Sequence, residues 1–437
     1  MRINYLMKIP KGIFVTILLW GFFSSNAWAD QVLVWDDCLA EAKKNNPDLI
    51  SAVESVNQSK ASKGITASAL YPQIDSSLSF STTRSNSRNA STGVKTTSTT
   101  DAYSYGATAT QLIFDGFKTV NDVNSASENI KASQQNYRFT SSDVRLTLRT
   151  AFVNLLRSQE LINVVGEIVK IRRQNLELIT LRYQSGLEHK GALLTAEADI
   201  AQANFELAQA KRDLVLSQRQ LSAAMGRDKF YPISVKGDFT VRDAAKEKPD
   251  FDAIVLNNPS LLKAIAQKNS ASYSMKSAYA NFSPVLSGSG GAEKTDSSWP
   301  PRGKSWNAGL TLSMPIFEGG LRFSQVSKAL AALKQAEADE RSIKYSAIVS
   351  LESAWAALQD AIETVDVQFK NLEATQERSK IAEAQYSIGF ISFDNWTIIE
   401  DNLVSAKTAY LNAQANVLLA EANWIQAKGE TLEYAQN

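Results

Sequence analysis

The chain has 437 residues, with 46 Lys or Arg against 45 Asp or Glu and a formal charge of +1. So even a balance excludes a partner that demands a strongly basic surface, nucleic acid above all. A single cysteine, Cys38, excludes an intrachain disulfide, and a single histidine, His189, excludes a cluster of His metal ligands within one chain.

The first 29 residues read as a targeting segment. Arg2, Lys8 and Lys11 precede an apolar run from Ile13 to Phe23, and the small-x-small pattern Ala27-Trp28-Ala29 follows. The run is too short for a spanning helix, which takes about 20 apolar residues. Cleavage after Ala29 removes three cations and no acid, taking the formal charge from +1 to −2. Cys38 lies nine residues past that point and reads as a small buried side chain, not a lipid anchor.

From 30 to 235 runs a first structural unit. "NNPDL" (Asn45 to Leu49) opens a helix, and Pro72 closes the approach to a Ser/Thr-rich stretch with strands expected over about 73–115. There Ile74, Leu78 and Phe80 alternate with Asp75, Ser77 and Ser79, the period-two pattern of a membrane β-strand. The segment Arg84 to Thr100 reads as a polar loop between two strands. After "LIFDG" (Leu112 to Gly116) the period changes. From Lys118 to Ser185 there is no Pro and one Gly, Gly166, while Leu148, Phe152, Leu155, Val165 and Ile168 recur at helical spacing. A helix of that length is about 100 Å long at 1.5 Å per residue. Gly186 ends it. A return helix carries Ile200, Ala203, Leu207, Ala210, Leu214 and Leu221 at heptad spacing, so a helical hairpin is expected over about 117–227.

A linker is expected over 236–251, and a second unit then repeats the first over 252–430. "NNPSL" (Asn257 to Leu261) echoes "NNPDL" at an offset of 212 residues. "PIFEGG" (Pro315 to Gly320) echoes the earlier junction, and "QYSIGF" (Gln385 to Phe390) echoes "RYQSGL" (Arg182 to Leu187), both at 203. Strands are expected over about 284–317, with Trp306, Ala308, Leu310, Leu312, Met314 and Ile316 on one face and a loop at Thr295 to Gly303. A helical hairpin is expected over about 321–429, with Gly389 at its tip and Leu403, Ala406, Tyr410, Ala413, Val417 and Trp424 on the return helix. Residues 431–437 are left as a tail. Such a chain is an internal tandem repeat. Four strands cannot close a barrel, since small closed barrels need about eight. Three copies would supply twelve. The expected fold is therefore an α+β membrane protein. Long antiparallel helical hairpins form an α-helical barrel, and four β-strands per chain join a shared trimeric 12-stranded β-barrel.

At this point the sequence resembles the TolC-like outer-membrane efflux proteins, on the "NNP" helix starts, the "YP" and "SP" strand entries, "PIFEGG", "RYQSGL" and "QYSIGF". The likeness covers essentially the whole chain after the targeting segment. It implies a homotrimeric channel-tunnel in outer-membrane lipid that crosses the periplasm and meets a periplasmic adaptor (membrane fusion) protein and an inner-membrane RND or ABC pump. It also implies no enzymatic activity and no cofactor. The tip turns Ser185, Gly186, Leu187 and Ile388, Gly389, Phe390 become the expected adaptor-docking knobs. The family's gate tyrosine matches Tyr386, but its arginine two after the tip glycine is here Ile391, and its aspartates are here Asn395, Ile398 and Ala192. The expected gate is Tyr183, Tyr386, Asp394, Asn395 and Ile398, closed more by apolar contact than by an acidic ring. Glu188, Lys190 and Glu400 remain as substitutes for the missing polar partners.

No catalytic constellation stands out. "RGKS" (Arg302 to Ser305) lacks the upstream glycine and the strand-to-helix setting of a phosphate loop. His189, at a hairpin tip, reads as a plain side chain. The leading function is passive export of small molecules. Protein secretion through a type I system and a purely structural periplasmic coiled coil are the alternatives.

Overall fold

The computed structural model describes residues 31–88, 90–239 and 248–434. The targeting segment, residues 240–247 of the expected linker and residues 435–437 of the expected tail lie outside these. In chain order the elements are β1 (Gln31–Leu33), α1 (Trp35–Asn45), α2 (Pro47–Ser68), β2 (Gln73–Arg88), β3 (Lys95–Phe114), α3 (Lys118–Gln184), α4 (Lys190–Ala224) and β4 (Ile233–Val235). They continue with α5 (Phe251–Val255), α6 (Pro259–Ala280), β5 (Val285–Asp296), β6 (Gly303–Ser313), α7 (Leu321–Ser387), α8 (Phe393–Ala427) and a 3-10 turn at Leu432–Tyr434.

The two long helices, α3 and α7, have 67 residues each, and the return helices α4 and α8 have 35 each. Toward the hairpin tips the packing order is α4–α3–α8–α7, and toward the strands it is α2–α3–α6–α7. The short helices meet end to end. Asn46 caps α2 by accepting from the amides of Asp48 (2.9 Å) and Leu49 (3.3 Å), and its amide donates 3.0 Å to the carbonyl of Ala224 at the end of α4. Asn258 does likewise between α6 and α8, accepting from Ser260 N at 2.9 Å and donating 3.2 Å to the Ala427 carbonyl. One asparagine thus satisfies the orphan amides of one helix and an orphan carbonyl of the next. This is the structural content of the repeated "NNP".

Beside these junctions, β1 and β4 pair in parallel over a core of Leu33, Cys38, Leu148, Phe152, Leu155, Leu221 and Ile233. Sequence periodicity did not announce this small sheet. Cys38 is fully buried there, and burial pushes its thiol up to about 12. A second core gathers Val153, Leu351, Trp355, Leu358, Val417, Leu418 and Trp424.

The four long strands form one antiparallel sheet in the order β2-β3-β5-β6. The register puts Phe80 opposite Tyr103, Ala107 opposite Ala292 and Ala292 opposite Trp306. Ile74, Leu78, Phe80, Leu310 and Leu312 therefore share one face with these residues. Ser77, Ser104, Glu293, Asn307 and Thr311 share the other. Two expectations are corrected. The polar stretch Arg84 to Thr100 is mostly strand, because its hydroxyls pair across the ladder: Ser85 with Ser98 at 2.8 Å and Thr97 donating to Asn86 at 2.7 Å. At the other end β6 stops at Ser313, before Pro315, whose missing N–H cannot extend the ladder, so Met314 and Ile316 lie beyond the strand. Among the described residues no helix is long and apolar enough to cross a membrane.

Candidate functional site

The tips of the two hairpins hold most of the expected site residues. Both turns are the same device. Gly186 (φ 72°) donates to the Tyr183 carbonyl at 3.0 Å while Leu187 donates to that of Arg182 at 2.8 Å. Gly389 (φ 78°) and Phe390 repeat this on the carbonyls of Tyr386 (3.0 Å) and Gln385 (2.8 Å). These are paired Schellman bonds, which need a left-handed residue at the glycine. The return helices are then capped at once. His189 Nδ1 accepts from Ala192 N at 3.1 Å, and Ser392 Oγ accepts from Asn395 N at 3.3 Å. His189 is thus a helix cap. Leu187, Ile388 and Phe390 remain exposed, the last two by 79% and 76%.

The two tip tyrosines part company. Tyr183 is 38% exposed and Tyr386 only 1%. Tyr386 lies between the hairpins. Its ring stacks on Trp396 (centroids 4.5 Å apart, 9° between planes), and the Arg182 guanidinium sits 4.7 Å from its centroid. Its hydroxyl donates 2.7 Å to Glu188 Oε2. Burial, then the Glu188 carboxylate, raise its phenol above the ordinary tyrosine value. Arg182 also donates to the carbonyls of Tyr386 and Ser387, both at 3.3 Å, at the open end of α7. Nearly three turns further from the tip, Arg172 bridges the hairpins, paired with Asp401 of α8 and 3.8 Å from Asp199 of α4. Beside it Glu400 is buried and accepts 2.5 Å from Ser379 Oγ. Burial raises the pKa of both Glu400 and Asp199.

The structure does not gather the five expected gate residues. Asp394, Asn395 and Ile398 occupy the exposed face of α8, while Phe393, Trp396 and Glu400 point inward. Tyr386 is engaged with Arg182, Glu188 and Trp396 instead. Of these, Arg182 and Trp396 escaped sequence reasoning. No local pattern marks them: Arg182 meets Tyr386 from the other hairpin, and Trp396 meets it across the turn of its own hairpin. Among the described residues no group of three or more His, Cys, Asp or Glu side chains is placed to hold a metal ion.

A family model described as outer membrane efflux protein matches residues 38–227 and 252–432. The chain is similar to the outer membrane efflux protein BepC of Brucella suis, at 23% identity over 90% of this chain and 82% of that protein. It is similar, also at 23%, to the outer membrane protein TolC of Escherichia coli over 97% of this chain and 87% of that one. Among solved structures, CusC superposes with a TM-score of 0.79 at 19% identity, covering 90% of this chain and 91% of that one.

Proposed function

The chain belongs to the outer membrane efflux protein family, and on that premise we propose that three copies form one export channel. The channel would take small molecules from a periplasmic adaptor and an inner-membrane pump of the RND or ABC type. Its place is the outer membrane, with the helices extending into the periplasm. The observation that carries the trimer is the open sheet. Among the described residues β2 pairs only with β3 and β6 only with β5, so both edges have unmet backbone groups, and one face is apolar and exposed. A bilayer tolerates neither an open edge nor an unclosed sheet. Twelve strands from three copies close it, with Trp306, Leu310 and Leu312 toward lipid.

The helices support the same closure. α4 and α7 flank the four-helix layer. Phe205, Val215 and Leu216 on α4, and Val349, Val367 and Ile381 on α7, are exposed in the single chain. Packing the α7 flank of one copy on the α4 flank of the next buries both. At the far end, the exposed turns Ser185–Leu187 and Ile388–Phe390 serve as adaptor knobs. Tyr386, Glu188 and Arg182 serve as the tie that holds the two hairpins together at rest, while Tyr183, Asp394, Asn395 and Ile398 stand on exposed faces at the mouth.

The test is to recover the full chain from outer membranes and compare unheated and boiled samples by gel, then measure conductance in planar bilayers. A heat-modifiable trimer with low resting conductance is expected, and a strain lacking the chain should accumulate a fluorescent efflux dye. Recovery as a soluble periplasmic coiled coil without conductance would sink the reading. Unchanged dye levels with loss of an exported protein would point to secretion instead.

A further inference from the structure

The lipid-side face of the sheet changes character toward the end away from the helices. In the row that runs across the strands through Leu78 and Tyr105, the next two residues are Lys294 and Lys304. The register sets these lysines directly opposite each other. Directly opposed like charges on one face of a sheet are unfavourable. Neither lysine makes an ion pair among the described residues. The nearby acids on that face are already held by local donors. Asp101 accepts from Thr82 Oγ1 at 2.8 Å, and Asp296 accepts from Ser297 N at 2.7 Å and Arg302 N at 3.3 Å.

Aromatic rings lie on one side of the pair. Lys294 Nζ lies 5.5 Å from the Tyr105 centroid. Trp299 lies 6.3 Å from both Tyr103 and Tyr105, and Trp306 is one step nearer the helices than Lys304 on the same face. Trp306 is 81% exposed and Trp299 58%. Below the lysines the same face continues with Ala292, Ala308, Leu310 and Leu312. Two unpaired ammonium groups, flat rings beside them and an apolar track beneath match three parts of one molecule. Those parts are phosphate, sugar ring and acyl chain.

We propose that Lys294 and Lys304 form a site for a phosphorylated glycolipid of the outer leaflet, its phosphate between the two ammonium groups, its sugar against Trp299 and Trp306, and its acyl chains along Leu310 and Leu312. The site rests on the lipid-facing barrel proposed above. Lysine suits it, because its long apolar stem lies along the sheet while its head reaches the interface.

The probe is the full-length protein reconstituted into phosphatidylcholine vesicles doped with diphosphoryl lipid A, with dephosphorylated lipid A, or with phosphatidylglycerol. The amount of doped lipid retained after detergent extraction is read by mass spectrometry. Retention of diphosphoryl lipid A above both comparators is expected, falling as salt is raised. The Lys294→Gln/Lys304→Gln double variant should retain it about thirty-fold less, roughly fivefold for each cation at a charged lipid surface. Lys294→Arg/Lys304→Arg should restore retention. Equal retention of the dephosphorylated lipid, or of phosphatidylglycerol, would overturn the proposal, as would full retention by the Gln variant. The wild-type comparison stands even if a variant fails to assemble. Failure to insert into plain phosphatidylcholine vesicles would instead count against the barrel itself.

Discussion

The Tyr386 hydroxyl donates a 2.7 Å hydrogen bond to Glu188, a residue 198 positions away at the tip of the other hairpin. The bond joins two turns that each hold their own backbone hydrogen bonds, so it bears on how the hairpins sit together and not on whether each one forms. Tyr386→Phe keeps the stacking on Trp396 and removes only the donor. A hydrogen bond to a charged group contributes about 1.5–3 kcal/mol. The variant is expected to form trimers normally and to show a higher resting conductance in planar bilayers. Wild-type conductance in Tyr386→Phe, with a leak in Trp396→Ala, would assign the tie to ring packing instead.

Glu400 sets a pH dependence. Its carboxyl is buried beside Ser379, with Arg172, Asp401 and Glu383 around it, and its folded pKa is raised, chiefly by burial. A raised carboxyl favours the protonated folded form. The tip is therefore most stable below the ordinary glutamate range and loses stability as pH climbs through the raised value. Asp199 is raised in the same direction. The melting temperature of the trimer should rise as neutral buffer is acidified toward the ordinary carboxylate range. Glu400→Gln, which still accepts from Ser379, should melt higher at neutral pH and lose much of that slope. An unchanged slope would show that other groups control it.

Leu310 and Thr311 test the facing of the sheet. Leu310 shares its face with Leu312 and Trp306, and Thr311 lies on the polar side. An Arg near the bilayer midplane on the lipid face costs about 2–4 kcal/mol. Leu310→Arg should lower the yield of assembled trimer, and Thr311→Arg should not. The reverse order would mean that the faces are inverted.

Gly389 separates docking from folding. Its φ of 78° strains any L side chain, but the space around it is open. Gly389→Ala carries the strain alone, about 1–2 kcal/mol. Gly389→Trp adds bulk at the exposed turn. Export is expected to survive in the alanine variant and to fail in the tryptophan variant, with trimers intact in both. Equal export by the two would remove the docking role of the turn.

The amino-acid sequence by itself determined the elements. The stretches free of Pro and Gly set α3 and α7, the glycines at 186 and 389 set their ends, and the alternation around Leu310 set a face of β6. These signals are local, since helix and strand periods and φ > 0 turns concern neighbours in the chain. Tertiary structure decided which hairpin meets which. It buried Tyr386 while leaving Tyr183 exposed, although the two occupy equivalent places in their motifs. It gave Asn46 and Asn258 their second role as links between helices, and it turned Asp394, Asn395 and Ile398 away from the tie. It also placed Lys294 opposite Lys304. The helix contacts depend on partners far apart in sequence and the lysine pair on the register of one hairpin, and no local period encodes either.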